Sequence, residues 1–219
     1  MTGGGEAAEP GSRGFAGGAG WSRSAPRPQV HEPGDPPQFP AFPRRESAQV
    51  YDSPWCGLRR DVVELPGGKP QEYHVFEITN AVAVVPVLED GSILMLWQYR
   101  YPHGRSHWEI PAGRMNEDED PAETARRELL EETGHAAKQL LPMPGFFPTN
   151  GISAHYAHLF LGIGCTPDGP AEPDASEQIL LRPFARDQVR ARLRRGTFAD
   201  GFTALALFYA LDHLEETER

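Results

Sequence analysis

The sequence predicts a mixed α/β fold: an α/β/α sandwich around a mixed sheet, preceded by an N-terminal β-hairpin. Three observations predict it. Strand-like runs come in pairs joined by turn residues, one helix between residues 120 and 134 has clear start and stop signals, and two more helical stretches alternate with strands toward the C-terminus.

The elements follow in chain order. Glycine and proline supply 17 of the first 47 residues, with no periodic pattern, so residues 1–47 are expected to form a disordered tail and residues 48–219 a single domain. Pro37, Pro40 and Pro43 recur at three-residue spacing, which reads as linker. Cys56 to Glu64 and Gln71 to Ile78 flank Pro66-Gly67-Gly68, giving the leading hairpin. A second hairpin joins AVAVVPVL to SILMLWQYRY through Asp90-Gly91, a dipeptide suited to tight turns. Asp120 then offers an N-cap, Pro121 a first helical residue, Glu123 a capping-box acid and Gly134 a stop. Further strands are expected at Trp108 to Ile110, Tyr156 to Ile163 and Gln178 to Leu181. A helix from Ala185 to Arg195 ends at Gly196 with basic residues in its last turn, and GTFADGFTALALFYAL closes the chain as a second.

The helix between Asp120 and Gly134 carries the chemistry. Glu128, Glu131 and Glu132 stand at i, i+3 and i+4, so three carboxylates crowd one face, while Ala122, Ala125 and Leu129 form an apolar strip that can pack on a sheet. An acidic run is ordinarily a solvated surface. Here the flanking glycines and Arg127 argue for a fixed cluster, and fixed carboxylate oxygens favour a hard divalent cation. Magnesium is usually held by one or two carboxylates plus substrate phosphates, so the pattern suits a diphosphate.

Composition excludes other classes. The net charge of −10 argues against a nucleic-acid partner, which needs clustered Lys and Arg. Only Lys69 and Lys138 are lysines among 21 basic residues. Cys56 and Cys165 are too few and too far apart for a disulfide framework. The chain shows no membrane span and no signal pattern, so a cytoplasmic protein with no membrane partner is expected.

The stretch GRMNEDEDPAETARRELLEETGH has the form G-x5-E-x7-R-E-L-x-E-E-x-G on Gly113, Glu119, Arg127, Glu128, Glu131, Glu132 and Gly134. It resembles the Nudix box at every fixed position, with His135 departing at a final site that is usually apolar. LMLWQYRYP, HWEIPAGR, GFFPTNGIS and the closing helix extend the likeness to the ADP-ribose and nucleoside-diphosphate-sugar pyrophosphatase branch of that family. The resemblance implies a hydrolase with metal at Glu128, Glu131 and Glu132, helped by the Ala112 carbonyl, the metal being Mg²⁺ or Mn²⁺. Glu131 and Glu132 would then be catalytic. It also implies a pairing of Glu119 with Arg127, a substrate pocket lined by Arg100 and Glu109, and a homodimer, while Trp108 is expected either to face a base or sugar or to be an ordinary core aromatic, since neighbouring strand residues point to opposite faces. The general base is assigned to Glu177, in the acidic loop from Asp168, because S-E-Q-I resembles the family there. An arginine ending an apolar strand also presents a fork suited to phosphate, which supports Arg100 from the residues alone.

One departure bears on specificity. ADP-ribose hydrolases of that branch usually carry a second proline where this loop has Asn150, in Pro148-Thr149-Asn150-Gly151. ADP-ribose leads as the expected substrate, with GDP-mannose or a UDP-sugar as the alternative. A nucleoside-triphosphate house-cleaning hydrolase or a non-enzymatic nucleotide-sugar sensor comes behind these. His155 and His158 are expected to be packing or surface histidines.

Overall fold

The computed structural model describes residues 34–217. Residues 1–33 of the expected tail lie outside them. Three strands lead, β1 (Arg44–Asp52), β2 (Gly57–Glu64) and β3 (Pro70–Glu77), in an antiparallel sheet of order β1-β2-β3. The expected hairpin is β2 and β3, turning on Gly67 and Gly68 with φ of +92° and +80°. β1 corrects that expectation to three strands and begins within the composition-based tail. Its sequence RRESAQVYD is exposed at every position, so it has no apolar alternation to reveal it, and polar pairing such as Ser47 Oγ to Asp61 Oδ1 (2.7 Å) helps hold it.

The main sheet has eight strands: β4 (Ala81–Leu88), β5 (Ile93–Arg100), β6 (Arg105–Glu109), β7 (Ala112–Arg114), β8 (His135–Ala136), β9 (Gln139–Phe146), β10 (Ala157–Pro167) and β11 (Ile179–Phe184). Its central order is β11-β5-β4-β10-β8, with β6 on β5, β7 on β4 and β9 on β10. β4 and β10 run parallel and the other pairs antiparallel, so the sheet is mixed. β9 contains Pro142 and Pro144, which hide it from a sequence reading. It pairs only with β10, an edge place where missing N–H donors are tolerated.

Three helices cover the sheet: α1 (Pro121–Thr133), α2 (Arg186–Arg194) and α3 (Gly201–Thr217). Alternation along β4 divides the core. Ala83, Val85 and Val87 join Ala206, Leu207 and Ala210 of α3 on one face, while Val82 and Val84 meet Ala125 and Leu129 of α1 on the other. This is the expected α/β/α sandwich. α1 starts and stops where its signals lie: Asp120 accepts from the Ala122 and Glu123 amides at 2.8 and 3.3 Å, and Gly134 ends it at φ +68° with its amide on Leu130 O. Among the described residues, no helix is long and apolar enough to cross a membrane.

Candidate active site

α1 packs so tightly on β7 that its carboxylates are inserted into the sheet edge. Glu132 is 2% exposed and Glu128 8%, whereas the side chain of Glu131 stays 45% exposed at the rim. Two glutamates of the triplet are therefore core residues and one faces solvent. Contact with the Gly113 backbone makes the approach possible, and Glu132 Oε2 accepts the Ala112 amide at 2.9 Å. The second oxygen, Glu132 Oε1, is buried without a hydrogen-bond partner. Burial, followed by the charge of Glu177, pushes the Glu132 carboxyl well above its usual range, and burial also raises that of Glu128.

Arg127 gathers the loop and the helix. Its Nε and Nη2 donate to Glu119 at 3.0 and 3.2 Å, and its Nη1 donates to both Glu128 Oε1 (2.8 Å) and Glu131 Oε2 (2.9 Å). Glu119 also accepts the Asn116 amide, which ties down the turn before α1. These donors, Arg127 first, hold the Glu119 carboxyl down to about 2. The expected pairing of Glu119 with Arg127 is present.

The loop after β10 docks on the C-terminus of α1. Asp168 donates its amide to Gly134 O and Glu172 its amide to Glu131 O, each at 2.8 Å. Gly134 is needed twice, for its left-handed φ and because a Cβ there would lie 2.6 Å from Gly169 O. Glu177, at the end of this loop, accepts the Asp174 amide at 2.9 Å, and its charge is felt at both Glu128 and Glu132. The charge of Glu177 therefore acts on the carboxylate cluster from this loop.

Arg100 and Glu109 come to the same side of the sheet but bind each other. Arg100 Nε donates to Glu109 Oε1 (3.0 Å) and Nη2 to Oε2 (2.6 Å) in a two-pronged pair, with the Glu109 side chain 4% exposed and that of Arg100 37%. His107 Nε2 lies 2.9 Å from Glu109 Oε1, close enough to pair though not aligned as a hydrogen bond. Against the cost of its burial, the pair with Glu109 first, and then the charges of Glu132 and Asp200, raise the Arg100 pKa. A sequence reading missed His107, Gln98 and Asp200. Period-two spacing could have found the first two, because Gln98 sits in register opposite His107 on the strand pair that carries Arg100 and Glu109. Gln98 Oε1 is buried and unpartnered on that face.

Trp108 does not join them. It lies on the opposite face of β6, with its ring 5.1 Å from Trp97 and 4.8 Å from Phe184, packed on the cluster beneath α3. Strand alternation therefore places Trp108 on the face of β6 opposite Arg100 and Glu109, packed as a core aromatic. His155 packs beside Phe202 and His158 beside Tyr156, as expected of packing histidines.

Among the described residues, no three His, Cys, Asp or Glu side chains converge as a ready-made cation cage. The donors nonetheless fit a divalent cation. A buried carboxylate oxygen of Glu132 lacks any partner, Gly113 leaves room for Glu128, and all the side chains are hard oxygen ligands.

Comparison with known proteins places the chain among known families. Residues 77–204 match the NUDIX domain and residues 44–76 the nucleoside diphosphate sugar hydrolase N-terminal domain, the latter spanning β1 to β3. An ADP-ribose pyrophosphatase of Bacillus subtilis (strain 168) is 39% identical over 113 residues, covering 52% of this chain and 61% of that protein. The chain thus spans less than two thirds of that relative. A methanol dehydrogenase activator of Bacillus methanolicus is 31% identical over 165 residues, 75% of this chain and 89% of that protein. A solved structure titled as an ADP compounds hydrolase superposes with a TM-score of 0.74 at 19% identity, over 84% of this chain and all of that one, a likeness of fold.

Proposed function

The chain belongs to the NUDIX domain family, and from that premise we propose that it is a Mg²⁺-dependent pyrophosphohydrolase. It would cleave the diphosphate of ADP-ribose or a related nucleotide sugar to a nucleoside monophosphate and a sugar phosphate. Members of the family generally need a divalent metal ion. The observation that carries the reading is the buried, unpartnered oxygen of Glu132 beside Glu128, with the charge of Glu132 felt at Arg100.

In this reading Glu128, Glu131 and Glu132, with the Ala112 carbonyl, hold the cation. When bound there, Mg²⁺ supplies charge neutralisation of the diphosphate and polarisation of water. Mn²⁺ would serve the same donors. Arg100 binds a phosphate through the donors it does not give to Glu109, and Glu109 fixes the direction of that fork. Glu177 is the general base, taking the proton of the attacking water from the loop side.

The relatives named as ADP-ribose pyrophosphatases support ADP-ribose as the first substrate. Asn150 keeps GDP-mannose or a UDP-sugar as the second. A nucleoside-triphosphate house-cleaning role is disfavoured by the match of residues 44–76, and a sensor role by the presence of every glutamate of the motif. A homodimer belongs to the same reading: Tyr101, Leu180, Trp55 and Tyr51 are exposed aromatic and aliphatic side chains on and beside the edge strands. So does a cytoplasmic setting, with Cys56 and Cys165 both free thiols.

A substrate panel tests it. Phosphate release coupled to a phosphatase, over ADP-ribose, GDP-mannose, UDP-sugars and nucleoside triphosphates with Mg²⁺ and Mn²⁺ compared, should rank ADP-ribose first. A nucleotide sugar with tenfold higher kcat/KM, about 1.4 kcal/mol at the transition state, would keep the chemistry and move the specificity. Activity on triphosphates alone would overturn the proposal.

A further inference from the structure

Arg127 does two different jobs with one guanidinium. Its Nε and Nη2 grip Glu119, and its Nη1 reaches the opposite way to stand 2.8 Å from Glu128 Oε1 and 2.9 Å from Glu131 Oε2. Nη1 is thus a positive group lodged between two of the three carboxylates assigned to the cation. One oxygen of Glu128 and one of Glu131 are turned onto the arginine.

We infer that Arg127 Nη1 is a built-in stand-in for the divalent cation, which exchanges places with it by giving up Glu131 and then Glu128, while the grip on Glu119 stays closed. The inference rests on the proposed cation site. Three features make the exchange feasible. Glu131 is the exposed member, so its oxygen can leave Nη1 without opening the core. Glu119 is held by two other nitrogens and by the Asn116 amide, so the arginine keeps its anchor when Nη1 lets go. Glu132 Oε1 makes no hydrogen bond, so it is a waiting ligand that needs no release. The stand-in lowers the repulsion among the clustered carboxylates when no cation is bound, and it makes Arg127 a competitor for two of the ligands. A purely supporting arginine, one that only orders those carboxylates, would act in the opposite direction on cation affinity.

The test has two readouts other than turnover. Calorimetric titration of Mn²⁺ into the wild-type chain, Arg127→Gln and Arg127→Lys should show both variants binding at least about threefold more tightly, the scale of one released ion pair. Their cation-free melting temperatures should fall, and saturating Mn²⁺ should raise them by more than it raises the wild type. Weaker binding in folded variants would overturn the exchange, as would an Arg127→Lys chain that binds like the wild type, since the effect would then come from net charge. The second readout needs no variant. Arginine side-chain NMR of the wild-type chain should show the Arg127 Nη1 protons lose their protection as Mg²⁺ is added, with Nε–H unchanged. Nη1 protons that stay protected at saturating Mg²⁺ would sink the exchange while leaving the cation site standing. A wild-type chain that binds neither Mn²⁺ nor Mg²⁺ would overturn the site and the exchange together.

Discussion

Gly113 and Glu128 touch so closely that nothing fits between them: a Cβ built on Gly113 would stand 2.0 Å from Cδ of Glu128. The atom it would meet ends a flexible side chain, so Gly113→Ala should push the carboxylate aside and leave the fold in place. A ligand displaced by about 1 Å costs on the order of a hundredfold in rate. Turnover of Gly113→Ala should fall by that factor with a near-wild-type circular dichroism spectrum. Full activity would mean that the position of Glu128 is unimportant.

Glu132→Gln should separate function from stability. The amide oxygen can still accept the Ala112 N–H, while the buried charge and its repulsion by Glu177 disappear. Turnover is expected to drop at least about a hundredfold. The cation-free melting temperature should hold or rise, since a buried charge without full compensation is costly. A variant that melts well below the wild type would show Glu132 to be a structural anchor.

Acid should loosen the loop before α1. Arg127 holds Glu119 down to about 2 from an ordinary 4.5, so the folded state binds this proton more weakly than the unfolded one. The stability Glu119 contributes is present above about pH 4.5 and lost as pH falls toward 2. Denaturant unfolding at pH 6 and pH 3 should show Glu119→Gln less stable than wild type at the higher pH, with the gap narrowing at the lower. A gap independent of pH would put the loss down to shape.

Trp108→Phe should cost stability and spare binding. The indole packs against Trp97 and Phe184 on the face away from Arg100, so the expected loss is about 1 to 2 kcal/mol of unfolding free energy with KM unchanged. A tenfold rise in KM at unchanged stability would return Trp108 to the substrate.

Much of this was legible in the residues, and the exceptions have physical reasons. α1 could be read to the residue because its caps are local chemistry, and β4 and β5 because their apolar runs flank a tight turn. β1 and β9 could not: one is exposed at every position and buries no apolar face, the other carries two prolines that only an edge tolerates. At the site, the helical spacing of the glutamates foretold their common face, but burial depth depends on the backbone of Gly113, a contact between segments distant in sequence. Arg100 and Glu109 were singled out separately. Their mutual pair, and the place of Trp108 behind them, follow from strand register, which the sequence leaves open.

The central claim is attack of water on a diphosphate at a cation-dependent site. Reaction of ADP-ribose with Mg²⁺ in ¹⁸O-labelled water, read by mass spectrometry, tests it most directly. Attack at phosphorus gives AMP and ribose 5-phosphate, with the label on the phosphate of one product, none on the sugar carbon, and no turnover once the metal is chelated. Release of ADP with free ribose, or label at the sugar carbon, would contradict it.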